Sequence, residues 1–186
     1  VTTRTPAESF TEMTELVLPG HANVLGSIFG GQVMAWVDIC AAIAAQRHCG
    51  RIAVTAAVDD LQFMAPIRVG DIVRLTGRLN EAFGSSMEVE VAVEVEDPAT
   101  RIRTPCVRSF LTFVCLDAEG RPLRVPTLAP RDEQDAERKL AATERRRIRL
   151  FHRATRTSIG DAAPASPEPA VNPGPTEVPW RYPGES

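Results

Sequence analysis

The chain of 186 residues, 44% apolar and 24% charged, has the size and composition of one globular domain, or of one domain with a tail. Its net charge of -3 hides a split: residues 1–130 carry 11 Arg and 15 acidic residues, whereas residues 131–156 carry nine Lys/Arg and five acids. That balance lacks the concentrated basic surface of a nucleic-acid binder, and no apolar run reaches the ~20 residues that span a bilayer.

Residues 1–10 are polar and show no signal-peptide pattern. The four cysteines (Cys40, Cys49, Cys106 and Cys115) form no C-x-x-C pair, which argues against a zinc ribbon or a redox motif. They read as reduced, mostly buried thiols of a cytoplasmic protein. With three histidines, one lysine and one tyrosine, no G-x-S-x-G elbow and no Lys-Ser/Thr after Gly30-Gly31, hydrolase triads, Schiff bases and nucleotide loops are disfavoured.

In chain order, residues 13–18 read as a short strand closed by Pro19-Gly20, and a loop then leads to Gly30-Gly31. Residues 32–48 follow as a helix with no polar stripe, which predicts a helix buried by the protein itself. Gly50 suits the left-handed position after it. Beyond this the period becomes two. Residues 52–63, 70–82, 87–95 and 101–116 read as strands, and Met87, Val89, Val91, Val93 and Val95 alternate with Glu88, Glu90, Glu94 and Glu96. These pieces predict an α+β fold in which a curved antiparallel sheet wraps a central apolar helix. Residues 131–151 read as a charged surface helix, and the Pro-rich residues 157–186 as a flexible tail; deletion of residues 158–186 is expected to leave activity largely intact.

Asp38 is the only ionisable side chain between Gly30 and Ala45, with Gln32 the only other polar one. A carboxylate in an apolar helix costs several kcal/mol unless paired, so its presence points to function, with a hydrogen bond at an oligomer interface as the alternative. Gly30-Gly31 lets a substrate approach the helix start, where free N–H groups suit an oxyanion. Asp38 lies seven residues beyond Gly31, about 10 Å along the same side. Asn23 in the preceding loop, taken alone, reads as turn chemistry.

The run from Leu18 to Asp38, containing Pro19-Gly20-His21-Ala22-Asn23 and Phe29-Gly30-Gly31-Gln32, resembles the hot-dog-fold acyl-CoA thioesterases. The branch is that of bacterial short-chain acyl-CoA thioesterases and brain-type cytosolic acyl-CoA hydrolases. Val54-Thr55-Ala56-Ala57-Val58-Asp59, Phe63-Met64-Ala65-Pro66-Ile67-Arg68-Val69-Gly70-Asp71, Ser86-Met87-Glu88-Val89 and Phe110-Leu111-Thr112-Phe113 continue the resemblance in order over residues 12–130. It implies a hot-dog fold at residues 12–130 between an N-terminal arm (1–11) and the charged helix (131–156). The implied activity is hydrolysis of acyl-CoA to a free acid and CoA.

By the same resemblance Asp38 is the catalytic base or nucleophile, Asn23 its partner from another hot-dog unit, and the Gly31 N–H the oxyanion donor. Gly30, Phe63, Gly84, Ser85, Ser86 and Met87 are implied to bind substrate and CoA, although a basic residue is common where Ser85 stands. Arg68, Arg103 and Arg108 are then candidates for the phosphates. Neither a cofactor nor a metal is implied, CoA being part of the substrate. The implied assembly is a homodimer or trimer of dimers, without nucleic acid or membrane. A hot-dog hydratase using His21, or a non-catalytic acyl-CoA-binding module, is the alternative.

Overall fold

The computed structural model describes residues 2–158. Residues 1–149 form one compact unit; the chain from Leu150 belongs to a second, of which the end of one helix is described. The Pro-rich tail expected at 157–186 lies, but for its first two residues, outside the described residues.

A two-residue strand β1 (Thr3–Arg4) leads into the single turn α1 (Pro6–Ser9). Thr5 and Glu8 close that turn as a capping box, the Thr5 N–H donating to Glu8 Oε2 at 2.6 Å. Strand β2 (Thr11–Leu16), a 3-10 turn at Pro19–His21 and the helix α2 (Gly30–Cys49) follow. Four long strands come next: β3 (Ala53–Phe63), β4 (Ile72–Phe83), β5 (Ser86–Glu96) and β6 (Arg103–Cys115). A short β7 (Thr127–Leu128) precedes the charged helix α3 (Glu133–Ser158).

The five-stranded sheet runs β2-β4-β5-β6-β3, every pairing antiparallel. The alternation in β5 decides its two faces. Met87, Val89, Val91 and Val93 are buried against α2, while Glu88 and Glu90 point to the opposite side. There α3 docks through ion pairs, from Arg78 with Asp135, through Lys139 with Glu81 (2.9 Å) and Arg145 with Glu88 (2.6 Å), to Arg149 with Asp59. Burial works against the Asp135 carboxylate, but the Arg131 N–H and the Arg78 guanidinium outweigh it and hold the group below the usual carboxylate range.

Helix α2 lies on the inner face, and its core side is Val33, Trp36, Val37, Cys40, Ala41, Ala44, Ala45 and His48. The small residues allow close approach to β4: a Cβ on Gly77 would meet Cys40 O at 3.0 Å and Cys40 Sγ at 3.1 Å. Gly50 ends the helix at φ 68°, in the left-handed region. The expectation of burial on all sides is corrected here. Met34 and Ile39 are about half exposed (50% and 48%), because the sheet covers one side of the helix and leaves the other open.

The N-terminal arm is stitched into the fold. Thr3 and Arg4 pair in parallel with Thr127 and Leu128, and Arg4 Nη1 donates to the carbonyls of Arg47 (2.5 Å) and His48 (2.8 Å). A cation thus caps the negative end of α2. His48 is fully buried, its Nε2 donating to Pro126 O at 2.9 Å while Nδ1 has no partner. Burial pushes its pKa down.

Candidate active site

Asp38 faces out on the open side of α2, in line with Gly31, Met34, Ala35 and Ala42 at helical spacing. The side chain is partly exposed rather than buried as its apolar neighbours in sequence imply; the open half of α2 provides no cover. Thr55 Oγ1 donates to Asp38 Oδ1 at 2.6 Å. This short bond ties one carboxylate oxygen to β3 and fixes the direction of the second. Thr55 is the residue that reading the sequence missed. Its signal is slight: one hydroxyl between Ile52 and Val58 in an otherwise apolar strand segment.

The helix start presents donors. Its first internal bond is Gln32 N–H to Phe29 O at 2.9 Å, so the N–H groups of Gly30 and Gly31 precede the helical ladder. A Cβ on Gly31 would come within 2.4 Å of the Phe29 ring, and one on Gly30 within 3.6 Å of Phe63. Two aromatic rings therefore flank the bare backbone, and both are more than half exposed (63% and 52%). Phe63 is thereby brought to Gly30 from the far end of β3.

Asn23 is held in an Asx turn, its Oδ1 accepting from Leu25 N–H (2.9 Å) and Ser27 N–H (3.3 Å). The oxygen is thus occupied and the Nδ2 group remains to donate outward. Within one chain no hydrogen bond joins Asn23 to Asp38 among the described residues. His21 Nδ1 accepts from Leu18 N–H and the ring stands edge-on to Trp36 at 5.2 Å, so His21 braces the loop rather than pairing with an acid.

Gly84 and Ser85 form the turn between β4 and β5, with Gly84 at φ 69°, and Ser86 opens β5 opposite Phe83. Met87 departs from the expected binding role: it is fully buried on the α2 side of the sheet and supports the hairpin from beneath. Arg103 and Arg108 are paired with Glu96 (3.2 Å) and Glu90 (2.7 Å), so neither stands as an unmatched cation.

A helix wrapped by this sheet, with a carboxylate on its open face and bare N–H groups at its start, is the architecture of the hot-dog thioesterases. The thioesterase superfamily model matches residues 25–102. The chain belongs to the acyl-CoA thioester hydrolase family of that superfamily. It is 41% identical over 133 residues to the Bacillus subtilis uncharacterized acyl-CoA thioester hydrolase YkhA, covering 72% of this chain and 77% of that protein. Mouse acyl-coenzyme A thioesterase 11 is 41% identical over 147 residues, 78% of this chain; the chain spans only 25% of that longer relative.

Among solved structures, the acyl-CoA hydrolase of Staphylococcus aureus, in complex with butyryl coenzyme A, coenzyme A and coenzyme A disulfide, superposes with a TM-score of 0.80. It is 34% identical, over 84% of this chain and 96% of that one. Variants of that hydrolase with one Asp, one Asn or one Thr replaced by Ala superpose equally well, with TM-scores of 0.81, 0.81 and 0.80. An apo-hexameric acyl-CoA thioesterase gives 0.79 at 36% identity, over 83% of this chain and 99% of that one.

Proposed function

We propose that this protein hydrolyses acyl-CoA thioesters to a free acid and CoA, and that Asp38 carries the reaction. The observation behind this is the Thr55–Asp38 hydrogen bond on the open face of a helix that begins with unpaired N–H groups. The three residues replaced in the S. aureus hydrolase are separated by 15 and 17 positions, in the order Asn, Asp, Thr. Asn23, Asp38 and Thr55 have those separations in this chain.

The thioester carbonyl points at the Gly31 N–H, and Asp38, through the oxygen not held by Thr55, takes a proton from a water. The water oxygen attacks the carbonyl carbon, and negative charge gathers on the carbonyl oxygen beside the helix start. Collapse breaks the C–S bond, and the proton returns from Asp38 to the leaving thiolate. Direct attack by Asp38 through an anhydride fits the same placement. Asn23 Nδ2 donates to the water or the carbonyl, and it comes from a second copy lying on the open side of α2. The acyl end lies against Phe63 and Gly30, and the nucleotide end against Gly84, Ser85 and Ser86. We infer a homodimer at least, assembled further into a trimer of dimers, in keeping with the hexameric structural neighbour. Four free thiols suit a reducing compartment such as the cytoplasm.

The test is thiol release from acyl-CoAs of graded chain length, run with wild type and Asp38→Asn. Wild type is expected to release CoA from part of the series, and Asp38→Asn to lose about 10²-fold or more of that rate. No release from any member, or an undiminished rate in the variant, would overturn the proposal.

A further inference from the structure

Resting on the thioesterase reading, we propose that Arg124 and Arg146, with Arg51 beside them, bind the phosphates of the CoA nucleotide over the β4–β5 hairpin. The starting observation is a charge mismatch. Arginines of the first unit face a carboxylate or a backbone carbonyl, except Arg51, Arg68, Arg124 and Arg146, whose guanidinium groups have no such partner among the described residues. Three of these four collect at one end of the sheet.

Arg51 stands two residues before β3, whose first residue Ala53 pairs with Cys115, and Leu116 N–H donates to Ile52 O at 3.1 Å. Cys115 N–H in turn donates to Ser85 O at 3.0 Å. Val125 N–H, one residue after Arg124, donates to Gly84 O at 2.8 Å. The Arg146 guanidinium lies over the Phe83 ring, 4.8 Å from its centroid. The acids that flank the hairpin are neutralised on the outer face, Glu81 by Lys139 and Glu88 by Arg145. The turn itself has no acid and offers the free Ser85 hydroxyl. Arg68 lies at the other end, bridged to Ser27.

Several unmatched cations around one turn suit a ligand with several anionic groups more than a single carboxylate. The position also fits the reaction. Thr55 lies two residues in from Ala53, about 7 Å along the strand, and the hairpin lies two strand spacings across, about 10 Å. A flexible pantetheine arm connects those two points, with its thioester at Asp38. The site then selects thioesters that carry the nucleotide over those that end at pantetheine.

The experiment titrates CoA, and separately pantetheine, into the full-length protein by calorimetry. Wild type is compared with Arg146→Ala, the Arg124→Ala/Arg146→Ala double variant and Arg147→Ala. Arg147 neighbours Arg146 on α3 but is paired with Glu144, so it controls for bulk charge. Wild type is expected to bind CoA more tightly than pantetheine, more so at low salt. That ratio should fall about tenfold in Arg146→Ala, further in the double variant, and persist in Arg147→Ala.

The proposal is overturned by a wild type that binds neither ligand or does not distinguish them, by a ratio that survives Arg146→Ala, or by an equal fall in Arg147→Ala. Binding needs no turnover. A chain that shows the expected ratios but releases no thiol from acyl-CoA would sink the hydrolase reading and leave this one standing.

Discussion

At the residue scale, Asp38 was legible because it stands alone: one carboxylate among apolar neighbours has no cheap structural explanation. Thr55 was not, since a threonine in a strand is ordinary and its meaning depends on which helix residue lies above it. That pairing spans 17 positions and belongs to the tertiary structure. The bond predicts a split effect. Thr55→Val keeps the shape of the side chain and removes the hydroxyl, freeing the carboxylate to rotate. The expected result is a fall in kcat of about tenfold or more with a smaller change in KM, measured on the best acyl-CoA of the series. An unchanged kcat would show that Asp38 needs no orientation by Thr55. Met87 marks the opposite kind of error. The resemblance implied binding for the whole segment from Gly84 to Met87, whereas one step along a strand turns a side chain to the other face, and Met87 is buried.

At the element scale, the period of two in β5 and the length of the apolar run in α2 made both elements readable, because each pattern follows directly from which side is buried. The N-terminal arm had no such pattern; its place is set by Arg4 and by two residues of strand pairing. Two consequences of helix packing can be measured. Gly77→Ala puts a methyl 3.0 Å from Cys40 O, a backbone atom that cannot swing away. A loss of about 1–3 kcal/mol in unfolding free energy is expected by chemical denaturation. His48 gives the second. Its folded pKa is depressed by burial, so the unfolded chain binds the extra proton first as pH falls through its ordinary value near 6.5. Stability from a neutral His48 is therefore present above that pH and declines below it. Melting temperatures of wild type should drop between pH 7.5 and 5.5 more than those of His48→Gln, which keeps an N–H for Pro126 O. Parallel curves would exclude His48 as the titrating group.

At the scale of the whole molecule, the sequence could not say which side of α2 is covered, since every side is apolar. The structure divides that helix into a face against the sheet and a face with Met34 and Ile39 half exposed, and the loop before it leaves Val24 and Leu25 almost fully exposed. The two edges of the sheet differ in the same sense. Strand β2 is six residues long and carries Glu12 and Glu15, which protect an edge from further pairing. Strand β3 is 11 residues long, with Val54 and Val58 exposed along an unpaired backbone. An open edge, an open helix face and an Asn23 with no hydrogen bond to Asp38 in its own chain are what the proposed second copy would cover if it lay on the β3 side. Val58→Lys tests this, because a lysine on an edge strand opposes pairing while leaving the buried side of the sheet untouched. Sedimentation should move the variant toward the monomer, and thiol release should fall with the oligomer if, as proposed, each Asp38 depends on the Asn23 of a neighbour. Activity that persists in a monomeric Val58→Lys would mean that one chain holds a complete site.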